Sequence, residues 1–242
     1  MKKILLTTFV TATLAVNPAV GQIFNDAVGD IDASFGTAGN GTLDILSTEV
    51  SNPTATDIRF NITVNGNIST TDWGKFMIGI STGSTAGTTT GNGWNRPINL
   101  NSPIGGMNYW IGSWVNGTPA GGAQLWSYNG TSWDQAPTGP TISLTAGTTS
   151  QISLTLPFAN IGSPSGTWYF DVYSSGDGGG DSAVDALSNP NVAITTWAGP
   201  YTSSQNPPGT GISVVPEPST YALLTLGALA LGGYAARRRA RK

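Results

Sequence analysis

The sequence predicts an all-β protein built around a single antiparallel β-sandwich of jelly-roll-like type. Glutamate, a strong helix former, occurs only twice among the 242 residues. Segments of alternating apolar and polar residues recur through the middle of the chain, and a period of two is typical of strands with one buried face. Eight or nine such segments, separated by turn-forming residues, fit one sandwich over residues 22–200.

The N-terminal 21 residues predict a secretory signal peptide. Two lysines precede an apolar run over residues 4–16, and a small residue stands at Ala19. A retained membrane anchor is the alternative, but the run is short for a membrane span. We therefore expect cleavage between Gly21 and Gln22 and export of the remaining chain.

The predicted strands follow from the alternation of side chains. It is clearest at residues 58–64, 76–80, 151–156 and 168–173. Further strands are predicted at Thr42–Val50, Asn108–Val115, Ala123–Asn129 and Val192–Trp197. The pair Asn129-Gly130 inside LWSYNGTSWD predicts a hairpin, because this dipeptide favours the tight turns between antiparallel strands. Trp168 shares the apolar face of its segment with Phe170, so we expect its ring in the core.

The end of the chain predicts a membrane segment. Residues 201–215 are rich in serine, proline and glycine and predict a linker. Residues 219–236 are uncharged and, as a helix, would be roughly 27 Å long, close to a bilayer core of about 30 Å. The basic cluster at residues 237–242 predicts a cytoplasmic end, since positive charge stays on that side. A buried globular helix is the alternative, but it would rarely end in such a cluster.

Pro216, Glu217 and Pro218, followed by an apolar helix and arginines, together resemble the PEP-CTERM sorting signal. A lipid-anchor signal of the GPI type would not normally end in a basic cluster. The resemblance covers residues 216–242 and implies processing at Pro-Glu-Pro by an exosortase, a membrane enzyme of mostly Gram-negative bacteria that make exopolysaccharide. It implies a protein that is exported, anchored in the membrane by its C-terminal helix, and then located at the cell surface or outside the cell.

Composition excludes several kinds of chemistry. The chain contains no cysteine and no histidine, which removes disulfides, thiol nucleophiles, histidine-based triads and nearly every zinc site. Residues 22–215 hold twelve of the thirteen acidic and three of the ten basic residues, a net charge of about −9. Such a domain repels phosphate groups, so we expect neither a nucleic-acid partner nor a nucleotide cofactor.

Two acidic segments predict a calcium site. The candidate ligands are Asp26, Asp30 and Asp32 near the mature N-terminus, and Asp177, Asp181 and Asp185 in a later glycine-rich segment. Calcium takes roughly six to eight oxygen ligands, several of them from carboxylates, on flexible backbone. We expect the two groups to approach each other and share an ion. The alternative is solvated loop acids in Asx turns.

A group of aromatic residues predicts a sugar-binding surface. The candidates are Trp110, Trp114, Trp126, Tyr128 and Trp133. Flat exposed rings stack on the apolar faces of sugars, and neighbouring amides and carboxylates can bond sugar hydroxyls. The alternative is that these rings fill the core, as most tryptophans do.

The order of short motifs over residues 25–197 is similar to that of family 9 carbohydrate-binding modules and their DOMON-like relatives. The motifs are an early aspartate pair, then LDI, DIRFNITV, DWGKFMIGIST, YWIGSW and AQLWSYNGTSW, and a late D-x-x-x-D. The resemblance implies an antiparallel β-sandwich of a kind that often binds sugars and in some members calcium. The haem ligands of cytochrome-type DOMON domains are typically methionine and histidine, so no haem is expected here.

Three classes of function remain. The favoured one is an exported surface or extracellular-matrix protein whose non-catalytic sandwich binds polysaccharide. The second is a structural envelope protein without a specific ligand. The third is a glycoside-acting enzyme, which would need two carboxylates at a set separation. No spacing singles out such a pair, so we predict no catalytic residue and no enzymatic activity.

Overall fold

The fold is described by a computed structural model that covers residues 21–35, 41–54, 56–83, 86–164 and 167–203, together with the backbone of residues 212–214. Within these ranges the chain forms fifteen strands, one short 3-10 helix, Phe158–Ile161, and a stretch of α-helical backbone at residues 33–35. In chain order the strands are β1 (Gln22–Asn25), β2 (Ile45–Ser51), β3 (Asp57–Val64), β4 (Lys75–Ser81), β5 (Ile98–Ser102), β6 (Gly105–Gly106), β7 (Tyr109–Trp114), β8 (Gly122–Tyr128), β9 (Trp133–Gln135), β10 (Thr141–Thr145), β11 (Ser150–Pro157), β12 (Trp168–Ser175), β13 (Asp185–Ala186), β14 (Tyr201–Ser203) and β15 (Ile212–Val214).

Two antiparallel sheets pack face to face and form the sandwich. One has the strand order β1-β2-β3-β11-β10, and the other has the order β13-β12-β4-β7-β8-β9, with β15 paired to β12. Phe60 of the first sheet meets the rings of Trp168 and Phe170 of the second at centroid distances of 6.4 and 5.4 Å. The predictions of an all-β sandwich and of a buried Trp168 are therefore confirmed.

The outer face of the second sheet is buried as well. Met77, Trp110 and Tyr173 come from three neighbouring strands and enter a second core, in which Trp110 stacks on Tyr173 at 6.0 Å. Residues 92–107 and 181–203, which contain the short strands β5, β6, β13 and β14, cover this core, and all seven positions of β4 are buried. The prediction of a half-buried strand at residues 76–80 is wrong, because alternation within a strand does not reveal the cover that distant loops supply.

Two predicted elements differ from the structure. Val192–Trp197 is an irregular loop, in which Trp197 packs edge-on against Phe35 at 4.7 Å and Trp73 at 6.1 Å. Ala193, Ile194 and Trp197 therefore pack against the second core without strand pairing, whereas Val192 is exposed. The linker predicted at residues 201–215 is also corrected in part, because β14 pairs in parallel with β5 and β15 pairs antiparallel with β12.

The hairpin predicted at Asn129-Gly130 is confirmed. Strands β8 and β9 pair through Tyr128 and Trp133, and the side-chain oxygen of Asn129 accepts two backbone N–H bonds of 2.9 Å from within the turn. Gly130 has a φ of 98°, a conformation that glycine adopts without a steric penalty. The turn sequence thus joins β8 to β9.

The two predicted targeting segments fall largely outside the described residues. Residues 1–20 of the predicted signal peptide and the predicted transmembrane helix at 219–236 are not described. Among the described residues, no helix has the length and apolar character needed to cross a bilayer.

Candidate metal centre and aromatic face

An acidic cluster lies where β1 and β13, the edge strands of the two sheets, come together. Asp26 follows β1, Asp30 ends the next turn, and Asp185 opens β13. One carboxylate oxygen from each of these three residues lies within 4.8 Å of the other two. The fold thus assembles three of the six acids predicted to share an ion, from opposite ends of the mature domain.

Asp44, which the sequence analysis did not select, lies beside this cluster. It directly precedes β2 and is 2% exposed, and its Oδ2 accepts bonds of 3.0 Å from the backbone N–H of Gly29 and the side-chain amide of Asn65. Its Oδ1 is buried and meets no hydrogen-bond donor. The sequence feature that could have identified Asp44 is the segment LDI, in which this acid stands between Leu43 and Ile45, two apolar residues that are fully buried.

The carboxylates of the cluster have few compensating contacts. Asp185 is 1% exposed and accepts two backbone N–H bonds of 2.6 and 2.7 Å. Asp26 accepts one backbone N–H bond of 2.8 Å through Oδ1. The remaining oxygen of Asp26 and both oxygens of Asp30 are buried without a partner. The cluster therefore presents several free oxygen acceptors to one another at short distance.

Burial and mutual repulsion raise the pKa values of the cluster. Burial raises the pKa of Asp26 to about 9, and the charge of Asp185 contributes to the rise. Burial, with a contribution from the charge of Asp44, raises the pKa of Asp30 to about 6. Burial and the charge of Asp30 likewise raise the pKa of Asp185 well above its ordinary value. A set of oxygen donors without nitrogen or sulfur fits a hard cation such as calcium or magnesium.

The other three acids predicted as ligands are engaged elsewhere, so the six-residue site is corrected. Asp32 accepts a bond of 2.9 Å from the backbone N–H of Ser34, and the Ser34 bonds lower the pKa of Asp32. Asp177 forms an ion pair with Lys75. Asp181 accepts a bond of 2.9 Å from a backbone N–H of its own loop.

Arg96 holds the glycine-rich loop at residues 176–181 apart from the acidic cluster. Its guanidinium is buried and donates to the backbone carbonyls of Asp181 and Gly176 at 3.0 and 3.1 Å. Lys75 and Arg96 are two of the three basic residues in the mature domain, and both bind this loop. Neither residue could be assigned a role from the sequence, because an isolated basic residue carries no recognisable pattern.

A row of aromatic rings lies on the outer face of β7, β8 and β9. Cross-strand pairs share a face of the sheet, so the pairings of Trp110 with Trp126 and of Tyr128 with Trp133 place these rings on one side. Trp114 has the same parity within β7 and shares that side. Four of the five rings are half-buried. We call these four the aromatic face: Trp114, Trp126, Tyr128 and Trp133.

Trp110 is the exception, and its prediction as a sugar-binding residue is corrected. The ring is 0% exposed, because the segment at residues 92–107 covers it, and it therefore presents no surface to a polysaccharide. Trp110 is therefore a core residue, as the alternative interpretation of these rings held.

Trp94 extends the aromatic face, although the sequence analysis did not select it. It lies 6.4 Å from the ring of Trp114 and against β7 at Gly112, where a Cβ would overlap its ring. Its indole N–H donates to the side-chain oxygen of Gln124 at 2.8 Å, and the Arg96 guanidinium lies 5.6 Å from its ring centre. Trp94 sits in an irregular loop, where no strand periodicity could place it.

The fold and these contacts define a class of protein: an all-β sandwich with an acidic cluster at one edge and a row of aromatic rings on an outer face. The sorting segment gives a more particular assignment. The family model of the PEP-CTERM protein-sorting motif matches residues 214–239, so the C-terminal segment of the chain carries this sorting motif, which supports export and processing by an exosortase. No curated protein and no solved structure matches the chain.

Proposed function

We propose that the protein is a non-catalytic surface or extracellular-matrix protein whose sandwich binds polysaccharide through the aromatic face. The observation that carries this proposal is the alignment of four half-buried rings on one side of three consecutive strands. Tryptophan and tyrosine rings that keep part of one surface in water can stack on the apolar face of a sugar ring. The sorting motif supplies the context, since export delivers the domain to extracellular glycans.

The polar surroundings of the aromatic face support a neutral ligand. Gln135 is exposed and pairs in register with Trp126, so its amide lies on the same side of the sheet. An amide both donates and accepts, as the recognition of sugar hydroxyls requires. The net charge of about −9 over residues 22–215 disfavours an anionic ligand. Both observations therefore favour an uncharged polysaccharide as the ligand.

The acidic cluster supports binding over glycoside hydrolysis. Retaining glycosidases place their two carboxyl groups about 5 Å apart, with one of them free to attack the sugar. In the cluster Asp185 is 1% exposed, and both of its oxygens accept backbone N–H bonds. A carboxylate so enclosed cannot reach a glycosidic bond. The aromatic face likewise distinguishes this proposal from a structural protein without a ligand.

The test is to change Trp133 to Ala in the exported protein and to measure its retention on insoluble neutral polysaccharides, including the exopolysaccharide of the producing cell. A stacked ring contributes about 1 kcal/mol, which corresponds to roughly a fivefold loss of affinity. We expect that loss with only a small decrease in melting temperature, because Trp133 lies on an edge strand and is only partly buried against Tyr128 and the rim of the second core.

Tyr169→Ala is the matched control. Tyr169 is also half-buried, but it lies on β12, away from the aromatic face. Its loss should leave retention unchanged. Equal retention of Trp133→Ala and the wild type on every polysaccharide that binds the wild type, or binding of the wild type to none of them, would contradict the proposal.

A further inference from the structure

The acidic cluster contains more buried oxygen acceptors than the described protein atoms satisfy. Four carboxylate oxygens, contributed by Asp26, Asp30 and Asp44, are buried and meet no hydrogen-bond donor. Buried carboxylate oxygens are almost always paired, since desolvation without a partner is destabilising by several kcal/mol for a charged group. Four such atoms in one place need a common partner.

Asp44 gives an independent indication that the partner is a ligand. Its side chain is 2% exposed, and Oδ2 is held by Gly29 and Asn65, which fixes the orientation of the carboxylate. Oδ1 is left unpartnered. The backbone N–H of Gly29, next to Asp30 in the chain, donates to Asp44, and the backbone N–H of Ile45 donates to Asp185. Asp44 therefore adjoins the cluster, although it is not one of the three acids whose oxygens lie within 4.8 Å of one another. A rigidly held carboxylate with one free oxygen is the arrangement of a metal ligand.

Two states could relieve the repulsion among these acids. Protonation is one, because a protonated carboxyl group can donate to a free oxygen of a neighbouring carboxylate, but each such bond joins only two of the groups. A divalent cation is the other, and it satisfies the free oxygens and neutralises charge in one step. The ion pair in the described residues joins Lys75 to Asp177, so that lysine does not compensate the cluster.

We propose that Asp26, Asp30, Asp44 and Asp185 bind one calcium ion, which fastens the N-terminal segment to the sandwich. Calcium fits because it takes oxygen ligands in irregular geometry and completes its shell of roughly six to eight with water or backbone carbonyls. Asp26 and Asp30 are only half-buried, so the ion has access from solvent. Asp26 also borders a cleft of about 250 Å³. This site is separate from the aromatic face and does not depend on sugar binding.

The ion would join three parts of the chain. Asp26 and Asp30 belong to the segment after β1, Asp44 precedes β2, and Asp185 begins β13, which contains only two residues. Each sheet is represented, because β1 and β2 belong to the first and β13 to the second. Calcium would therefore close one edge of the sandwich, as a disulfide could not in a chain without cysteine.

The experiment is calcium titration by calorimetry of the exported protein, together with melting curves in calcium and in EDTA. For the wild type we expect one calcium per chain, with a dissociation constant in the range of about 10⁻⁴ to 10⁻³ M that is typical of extracellular modules, and a melting temperature that rises with calcium. Asp30→Asn should weaken calcium binding at least tenfold, because it removes a ligand charge while keeping the shape of the side chain.

A second comparison separates a metal ligand from a merely structural residue. In EDTA, Asp30→Asn should be at least as stable as the wild type, because it removes a repelling carboxylate, whereas in excess calcium it should be less stable. Asp32→Asn is the matched control: it makes the same change of charge two residues away and should bind calcium like the wild type. Absence of calcium binding by the wild type, or equal affinity of Asp30→Asn, would overturn the proposal.

Discussion

At the scale of single residues, buried acids differ in how the fold compensates them. Asp171 on β12 is fully buried, yet its carboxylate accepts bonds from the hydroxyls of Ser188 and Ser203 and from the backbone N–H groups of Val172 and Ser188. It therefore differs from Asp30, which has no partner for either oxygen. Burial nevertheless raises the pKa of Asp171 to about 6, against an ordinary value of 3.8, although these bonds lower it.

This shift predicts a pH dependence of stability. The unfolded chain releases the Asp171 proton near pH 4, whereas the folded protein holds it until about pH 6, so the free energy of unfolding falls as pH rises through this window. A shift of this size corresponds to about 3 kcal/mol. Asp171→Asn cannot ionise and should lack the decrease, while its amide can still bond the two serine hydroxyls. Urea denaturation in EDTA at pH 4, 5, 6 and 7.5 measures the effect.

The comparison of the two proteins isolates Asp171. The other titratable groups that face it are Asp26, Tyr173 and Tyr201, and all three are present in both proteins. The stability of the wild type relative to Asp171→Asn should therefore be highest at pH 4 and lowest at pH 7.5. Parallel pH profiles would show that the carboxylate titrates at its ordinary value despite its burial.

At the scale of single elements, glycines in β7 and β8 make room for rings. A Cβ at Gly112 would overlap the ring of Trp94, and a Cβ at Gly122 would overlap the ring of Trp114. The two strands thus accept aromatic residues against their backbone, which a pattern of apolar alternation does not show. The aromatic face depends on these two glycines for the position of its rings.

Gly112→Ala should therefore destabilise the protein by about 1–3 kcal/mol, the usual effect of overpacking a filled site. Trp94 must move, which breaks its bond to Gln124 and should also weaken retention on polysaccharide. Gly179→Ala is the control, because a Cβ there meets nothing within 4 Å, and its effect should stay within about 0.5 kcal/mol. Chemical denaturation measures both variants, and equal stability of the two would show that Trp94 moves freely over β7.

The sequence predicted those elements whose signal is local. Strands β3 and β11 have strict alternation, and the hairpin between β8 and β9 has its turn dipeptide, so each could be located without tertiary information. The strand prediction at Val192–Trp197 was wrong because Trp197 packs against Phe35 and Trp73 from an irregular loop, and core packing of this kind can resemble strand alternation in a sequence. Very short strands such as β13, with two residues, have no period to detect.

The candidate site likewise contains residues that could be predicted from the sequence and residues that could not. Asp26, Asp30 and Asp185 could be selected because acids near glycines are conspicuous, but their separation from Asp181 depends on Arg96, which binds the intervening loop from a distant part of the chain. Asp44 looks like an ordinary strand-edge residue in the sequence. Its role follows only from the register that places Ile45 beside Asp185. Long-range contacts of this kind decide which acids converge.

At the scale of the whole molecule, the acidic region and the basic segment with the sorting motif occupy separate parts of the chain. Residues 22–215 have a net charge of about −9, whereas residues 237–242 contain five basic residues. The acidic part suits an exterior where calcium is plentiful, and the basic part suits the cytoplasmic face of a membrane. The junction between the regions is short, because β15 ends at Val214 and the sorting motif begins with Pro216.

This junction predicts the products of processing. Cleavage at Pro-Glu-Pro lies beyond β15, which ends at Val214, so it leaves every described strand intact and should not change the melting temperature of the sandwich. Mass spectrometry of the extracellular protein should find an N-terminus at Gln22 and no residues beyond about Pro218.

Replacing Glu217 with Ala should keep the tail attached and the protein in the membrane fraction, whereas Ser219→Ala should be processed normally. An extracellular form that still contains residues 221–234 would refute removal of the tail.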